Sequence, residues 1–416
     1  MSGVSGASLV APDGRQRGAA TMRHRVRSVA VVLAVALAGT ALAVAPAAAT
    51  DPAGVERLDR WVDDLTRVRG ISPTDLGVPG WYGAATMISD SGVVAGTMAD
   101  DQGRWRVFRW KDGVATLLQD DGLDAYAVDM NERGQVVGHV RAADGWERAV
   151  LWEPDGTVVD MAPGRNDLRV YGIDDHGRVA VNRHSGQLGY SDPAIWHDGE
   201  LIELLGYGGT GSVAPVAPLN NRGEVVGTTT GSRAFVWRDG VTTVLESPSG
   251  AATSAMAITE NGTVVGTAAD GEGRSRTVVW EQGRMRYLDL GGITPELDRT
   301  DVDRHGTVVT NRTNADGTTY GVVAGRHGTV RLRTLGGPSS RVFAISDLGL
   351  VVGEAQRREL WTVPVVWVLG VPVPLGDRLH GAAPAVGGSA LDVNNRGQVV
   401  GDVGGVPVIW DLRPRR

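Results

Sequence analysis

The stretch Ala255-Met256-Ala257-Ile258-Thr259-Glu260-Asn261-Gly262-Thr263-Val264-Val265-Gly266 reads as two short strands folded about a tight turn. Ile258 ends an apolar run, and Thr259 brings a short oxygen-bearing side chain that can bond a nearby backbone amide. Gly262, three residues on, is free to take the left-handed conformation that closes a hairpin through a bulge. Val264 and Val265 open the return strand.

The same arrangement recurs eight times. Its glycines are Gly92, Gly134, Gly177, Gly223, Gly262, Gly306, Gly349 and Gly397, separated by 42, 43, 46, 39, 44, 43 and 48 residues. Three residues before them stand Ser89, Asn131, Asp174, Asn220, Thr259, Asp303, Ser346 and Asn394; two residues after them stand Val94, Val136, Val179, Val225, Val264, Val308, Val351 and Val399. A third apolar run ends at Trp110, Trp152, Trp196, Trp237, Trp280, Trp367 and Trp410. Asp112-Gly113, Asp198-Gly199 and Asp239-Gly240 then mark a second tight hairpin into a fourth strand, as at Val241 to Leu245. Four short antiparallel strands in roughly 43 residues are the content of one β-propeller blade. The chain is therefore expected to be all-β, a propeller of eight four-stranded blades, with seven as the alternative. Unit six keeps its spacing but has Ala324 for the tryptophan and Thr310 for the glycine after the valine pair. Unit eight stops after Trp410 without a fourth strand, whereas Leu76-Gly77 ahead of the first unit resembles the end of one. The ring is thus expected to close with an N-terminal strand, which pairs the two exposed edges.

Composition fits a globular all-β chain: 59 Gly, 42% hydrophobic and 21% charged residues. The net charge is -7, and residues 1–49 carry +4 of it, which leaves -11 on the remainder. That balance argues against nucleic acid as a partner. Lys111 is the only lysine among 41 basic residues, an arginine bias expected of a high-GC bacterial coding sequence. Arg23, Arg25 and Arg27 precede the apolar stretch Val29 to Val44, and Ala47-Ala48-Ala49 offers a small-residue cleavage site. Residues 1–49 therefore read as a secretory signal peptide with Met22 a candidate start, which implies extracellular localisation and no stable membrane insertion. Residues 50–69 read as a linker with a short amphipathic helix, since Val55, Leu58, Val62, Leu65 and Val68 recur at helical spacing. Residues 70–416 form the repeat domain. With no cysteine there is neither a disulfide nor a thiolate metal site, and a monomer stabilised by its closed ring is expected.

The order of motifs resembles the extracellular HAF-repeat family, whose unit runs approximately Ala-x-Ala-Ile-Asn-x-x-Gly-x-Val-Val-Gly, then His-Ala-Phe-Leu-Trp, then Asp-Leu-Gly-x-Leu-Gly-Gly. Ala255 to Gly266 matches the first block and Arg233-Ala234-Phe235-Val236-Trp237 the second, with Arg233 in place of the family's histidine. The resemblance covers about residues 70 to 410. It implies secretion and a propeller-like β fold, and brings no catalytic residue or cofactor.

In a four-stranded blade the turns between strands one and two and between three and four share one face of the ring. The other connections share the opposite face, and their variable lengths make that face the expected binding surface. Arg106, Arg148, Arg233 and Arg276 each stand four residues before a repeat tryptophan on that side. They read either as an anion-reading arc or as strand ends paired with neighbouring carboxylates. Trp105, Trp146 and Trp361 fall just before the same strand and suit stacking on a sugar, while the repeat tryptophans read as core. Gly206-Tyr207-Gly208-Gly209-Thr210-Gly211 satisfies a dinucleotide pattern but is followed by Pro215 and Pro218, so it reads as a loop. Asp301-x-Asp303-x-x-Gly306 begins like a calcium loop but lacks the later acid, and the histidines show no paired ligand spacing. No metal, cofactor or catalytic motif is expected. The sequence points to a secreted binding or interaction protein holding a glycan, a cell-wall component or an extracellular protein. The alternative is a carbohydrate-active enzyme, a polysaccharide lyase or glycoside hydrolase, with a site at the propeller axis, for which Asp124, Arg299, Asp301 and Arg341 are the first suspects.

Overall fold

The computed structural model describes residues 71–413, apart from 119–123, 142, 185–190, 206–209, 289, 291–299, 327, 359–360, 369, 378 and 380–386. The leader, the 50–69 stretch, Arg299 and most of the dinucleotide-like loop lie outside the described residues. Within them every regular element is a strand, and the strands form eight four-stranded antiparallel sheets. Seven blades are contiguous in sequence: residues 82–117, 124–160, 168–203, 211–245, 253–287, 301–331 and 336–374. The eighth takes three strands from residues 388–411 and its fourth from Thr74–Asp75. That strand pairs Thr74 with Ile409 and Asp75 with Val408, and Leu76 N–H donates to the Pro407 carbonyl at 3.1 Å. The ring is closed by its N-terminal strand, and the alternative of seven blades falls.

The repeated turn forms as its residues dictate. In all eight copies the glycine N–H donates to the carbonyl three residues back, at 2.8 to 3.1 Å, with the glycine at φ between +74° and +83°. In blades 1, 3, 4 and 5 the second hairpin is a two-residue turn with both central residues at positive φ, as in Asp112 (48°) and Gly113 (88°). The glycine after the valine pair serves close packing instead. A Cβ on Gly266 would run into the Ser254 carbonyl and come within 2.9 Å of the Trp280 ring.

The repeat tryptophans fill the space between blades. Trp152, Trp196, Trp237, Trp280, Trp367 and Trp410 are buried, and Trp110 is partly so. The indole N–H groups of Trp280, Trp367 and Trp410 donate to the carbonyls of Glu246, Arg333 and Gly376, where the preceding blade ends. Blade 6 keeps the register without its tryptophan: Val308 pairs Ala324 as Val264 pairs Trp280. Leu290, Tyr320 and Val322 gather around Ala324 in its place.

Two features were not readable in the repeat. The fourth strands are mostly exposed, Gly328–Arg331 throughout, which puts them on the outer rim, so apolar burial belongs mainly to strands one to three. The first strands of six blades carry a register shift, between Ala85 and Met87, Ala127 and Asp129, Val170 and Gly172, Ala255 and Ala257, Val342 and Ala344, and Ala390 and Asp392. Such bulges bend a strand and re-aim the side chain that follows.

Candidate functional site: an aromatic ridge on the loop face

The two faces of the ring have different chemistry. On the face of the repeated turns, neighbouring blades are bonded turn to turn, through the second turn residue everywhere except from blade 5 to blade 6, where the third, Asn261, reaches across. Asn395 N–H donates to Asp90, Asp90 N–H to Glu132, Glu132 N–H to Asp175, Asp175 N–H to Asn221, and Asn221 N–H to Glu260. Asn261 Nδ2 donates to the Arg304 carbonyl, Arg304 N–H to Asp347, and Asn395 Nδ2 to Asp347. These bonds complete a circuit through all eight blades, at 2.7 to 3.2 Å.

Just inside that circuit, Asp129, Asp301 and Asp392 occupy the same position in blades 2, 6 and 8. Each accepts the amide of its own successor, Met130, Val302 or Val393, and that of the next blade's strand, Ile173, Ile345 or Ile88, at 2.7 to 2.9 Å. Burial pushes their carboxyl pKa values up to about 6, about 6 and about 7. Asp392 is raised further by the charges of Asp301 and Asp129. Asp301 is thus a staple between blades. Asp303 of the calcium-like start is a turn residue, accepting the His305 and Thr307 amides at 2.8 Å. His139 is also a staple: its Nε2 accepts the Val170 amide at 3.2 Å, and burial lowers its pKa. Among the described residues no three His, Cys, Asp or Glu side chains are grouped as a metal would need, and no helix is long and apolar enough to cross a membrane.

The opposite face is less uniform, although not through looseness. Its connections in blades 1, 4, 5 and 6 reuse the same turn, with Gly103, Ser232, Gly273 and Gly317 N–H donating to the carbonyls of Asp100, Thr229, Asp270 and Asn314 at 2.9 to 3.0 Å. What distinguishes this face is aromatic. Four rings follow one another from the junction of blades 8 and 1 onto blade 2: Trp81 to Tyr82 at 5.8 Å between centroids, Tyr82 to Trp105 at 6.3 Å, and Trp105 to Tyr126 at 6.4 Å. Trp81 is 66% and Tyr82 51% exposed, and Tyr126 is exposed too.

The local sequence builds this ridge. Tyr82 and Trp105 both pair with Ala99 across the blade 1 sheet, so their side chains emerge on the same side and meet beside a residue too small to separate them. Trp81 N–H donates to the Ala99 carbonyl at 3.1 Å. Gly80, at φ +148°, lets the chain pass against Met98 and Ala99 where a Cβ would collide. Gly405 of blade 8, at φ +80°, leaves the room that the Tyr82 ring fills, and its carbonyl accepts the Gly83 amide at 2.7 Å. Trp105 N–H donates to Asp124 at 2.9 Å, which joins blade 1 to the start of blade 2.

Of the residues singled out by sequence, Trp105 belongs to this ridge, whereas Trp146 (61% exposed) and Trp361 (53%) stand on the same face away from it. Arg106 meets Asp100 at 3.2 Å, Arg148 meets Asp144 at 3.1 Å and Arg276 meets Asp270 at 3.7 Å. Arg276 also lies 5.8 Å from the centroid of the Tyr287 ring. Arg233 is partly buried at the head of its strand, with Nη1 enclosed and lacking a hydrogen-bond partner. Arg341 is exposed on the first strand of blade 7. Sequence reasoning missed Trp81, Tyr82 and Tyr126. The available signal was phase: Trp81 and Trp105, unlike the seven core tryptophans, fall off the repeat position. The outer cleft between blades 4 and 5, about 520 Å³, holds no comparable group of rings. Its buried carboxylate, Glu224, is already held by Asn220, Arg222 and Arg238.

No family model and no curated protein matches the chain. Among solved structures it is similar to a puromycin-hydrolyzing peptidase of Mycobacterium tuberculosis, at 16% identity over 75% of this chain and 54% of that one, with a TM-score of 0.46. It is similar also to a prolyl endopeptidase, at 14% identity over 85% and 57% with a TM-score of 0.47, and to a lectin of Burkholderia pseudomallei, at 13% identity over 70% and 98% with a TM-score of 0.40. The chain spans about half the length of the peptidases it matches.

Proposed function

We propose that the protein is a secreted binding propeller of the HAF-repeat kind that holds a glycan or glycan-bearing cell-wall polymer on its loop face. The observation that carries this reading is the row Trp81, Tyr82, Trp105 and Tyr126, in which Trp105 is half-buried and the other three rings are exposed. Aromatic rings left in water at the edge of a rigid scaffold offer flat apolar faces for sugar rings, with polar groups beside them to orient hydroxyls. The same rings would suit an extracellular protein, and the test separates the two.

The full chain is to be assayed for binding to an array of glycans and cell-wall polymers, with product formation followed for each hit. Binding without turnover that is lost on Trp105→Ala supports the reading. Turnover makes the protein an enzyme, and the absence of any binding overturns the glycan ligand. Appearance of the protein in the culture medium, beginning near Thr50, tests secretion. One observation favours the enzymatic alternative: the half-buried carboxyls of Asp129, Asp301 and Asp392 have pKa values raised towards neutrality, as general acids need. Each, however, already accepts two backbone amides.

A further inference from the structure

We infer that the ridge takes an uncharged or amine-bearing glycan chain, laid across at least three consecutive sugar rings from Trp81 towards Tyr126, and discriminates against sulfated and carboxylated chains. The inference rests on the reading of the loop face as a glycan site and adds the length and charge of what it holds.

Length follows from the spacing. Three successive steps of 5.8, 6.3 and 6.4 Å separate the four rings, each step about the width of one pyranose. The planes turn by 42°, 74° and 36° between neighbours, so the row is a twisted platform, suited to a chain whose sugars rotate along its axis. An isolated aromatic such as Trp146 or Trp361 offers a single ring and no such step.

Charge follows from what surrounds the rings. The guanidinium groups beside the row are matched by carboxylates. Asp100 takes Arg104 at 2.9 Å and Arg106 at 3.2 Å, and Glu147 lies 3.8 Å from Arg141. Asp101, in the turn after Asp100, is exposed, and Asp124 lies under the Trp105 amide. Four carboxylates, Asp100, Asp101, Asp124 and Glu147, thus stand against three guanidiniums. Burial is the main reason the Tyr126 phenol lies above its usual pKa; after it Asp124 raises the value, Arg141 opposes and Glu147 adds. An anionic sugar would meet these carboxylates with the cations beside them already committed. A hydroxyl finds carboxylate acceptors, and an ammonium finds a favourable field.

The test is calorimetric titration of the full chain with cello-oligosaccharides and chitosan oligosaccharides from disaccharide to hexasaccharide, set against sulfated and galacturonate chains of equal length. Affinity is expected to rise with length until the row is covered and then to level, with little response to added salt in the neutral series. Trp81→Ala and Tyr126→Ala should each weaken binding about tenfold, Tyr126→Phe should retain it, and Trp146→Ala should leave it unchanged. Trp81 and Tyr126 lie at the surface, so unchanged unfolding midpoints will distinguish lost contact from lost fold. Tighter, salt-sensitive binding of the anionic chains, or no gain with length, overturns the inference while leaving a glycan site standing. Failure of every oligosaccharide, neutral or charged, removes the glycan reading itself.

Discussion

The two faces of this ring use the same four-residue turn for different ends. On one face the turn appears in every blade, and its second residue, or in blade 5 its third, bonds to the adjacent blade, closing a circuit around the ring. On the other face the turn recurs in blades 1, 4, 5 and 6, and its bonds stay largely within the blade: Asp270 accepts the amides of Glu272 and Arg274 and the side chain of Arg274. Identical local chemistry therefore produces cohesion where it links blades and only local order where it does not. Freed from that linkage, the loop face accommodates Trp81, Tyr82 and Trp105, side chains that would have no place in the circuit.

The largest effect expected from this contrast is at Asn220. Its Oδ1 accepts the amides of Arg222 and Glu224, while its Nδ2 donates to Glu224 and to the Thr259 carbonyl of the next blade. Asn220→Ala would leave a buried carboxylate and a backbone carbonyl short of partners, at a cost of about 2–4 kcal/mol. Asp270→Ala, which removes the equivalent cap from the loop face, should shift the denaturant midpoint far less. Equal losses would mean that the circuit contributes nothing beyond its individual turns.

Next come the staples inside the circuit. Asp129, Asp301 and Asp392 have folded pKa values of about 6, about 6 and about 7 against an ordinary 3.8, so between these values the folded state binds more protons than the unfolded one. Their contribution is full below about pH 4 and is lost as the pH rises through 6 to 7. The charges facing them are those of one another, together with Asp175 at Asp129 and Asp303 and Asp347 at Asp301. Chemical denaturation between pH 4 and 8 should show stability falling steadily as the pH rises, with Asp392→Asn flattening the slope. A slope unchanged in that variant would remove Asp392 from the explanation.

A smaller effect is expected where blade 8 supports the ridge. Gly405 sits at φ +80° against the Tyr82 ring, so Gly405→Ala should cost about 1 kcal/mol in backbone strain and displace Tyr82. Glycan affinity would fall although no aromatic group had been removed.

These differences explain what the sequence could and could not disclose. The turn at Thr259 to Gly262 was legible because each residue there acts on its nearest neighbours, and the same holds for the Asp112-Gly113 hairpin; the tryptophans were legible from a recurring position that sets each against the preceding blade. Closure by Thr74–Asp75 was legible because unit eight lacked one strand and the chain before unit one had a spare. The circuit was not legible. Asp90, Glu132, Asp175 and Asn221 occupy a turn position that changes among Asp, Glu, Asn and Arg from blade to blade, and their partners lie a whole blade away. The ridge was legible only at Trp105. Its other rings come from the approach to blade 1 and from the first strand of blade 2, and only the Ala99 register and the closeness of Gly405 bring them together.

The smallest expected effect bears on whether the loop face works through rings or through charge. Arg148 meets Asp144 at 3.1 Å with side chains 41% and 50% exposed, so the pair is solvated and screened by salt. Arg148→Gln should leave the unfolding midpoint unchanged within error. It should also leave neutral-glycan affinity unchanged, because Arg148 stands outside the row from Trp81 to Tyr126, whereas Trp105→Ala lowers that affinity. If Arg148→Gln instead abolishes binding while Trp105→Ala is tolerated, the arginines would be the reading surface after all. The two faces would then differ in where they place charge, not in whether they free the chain to carry aromatic side chains.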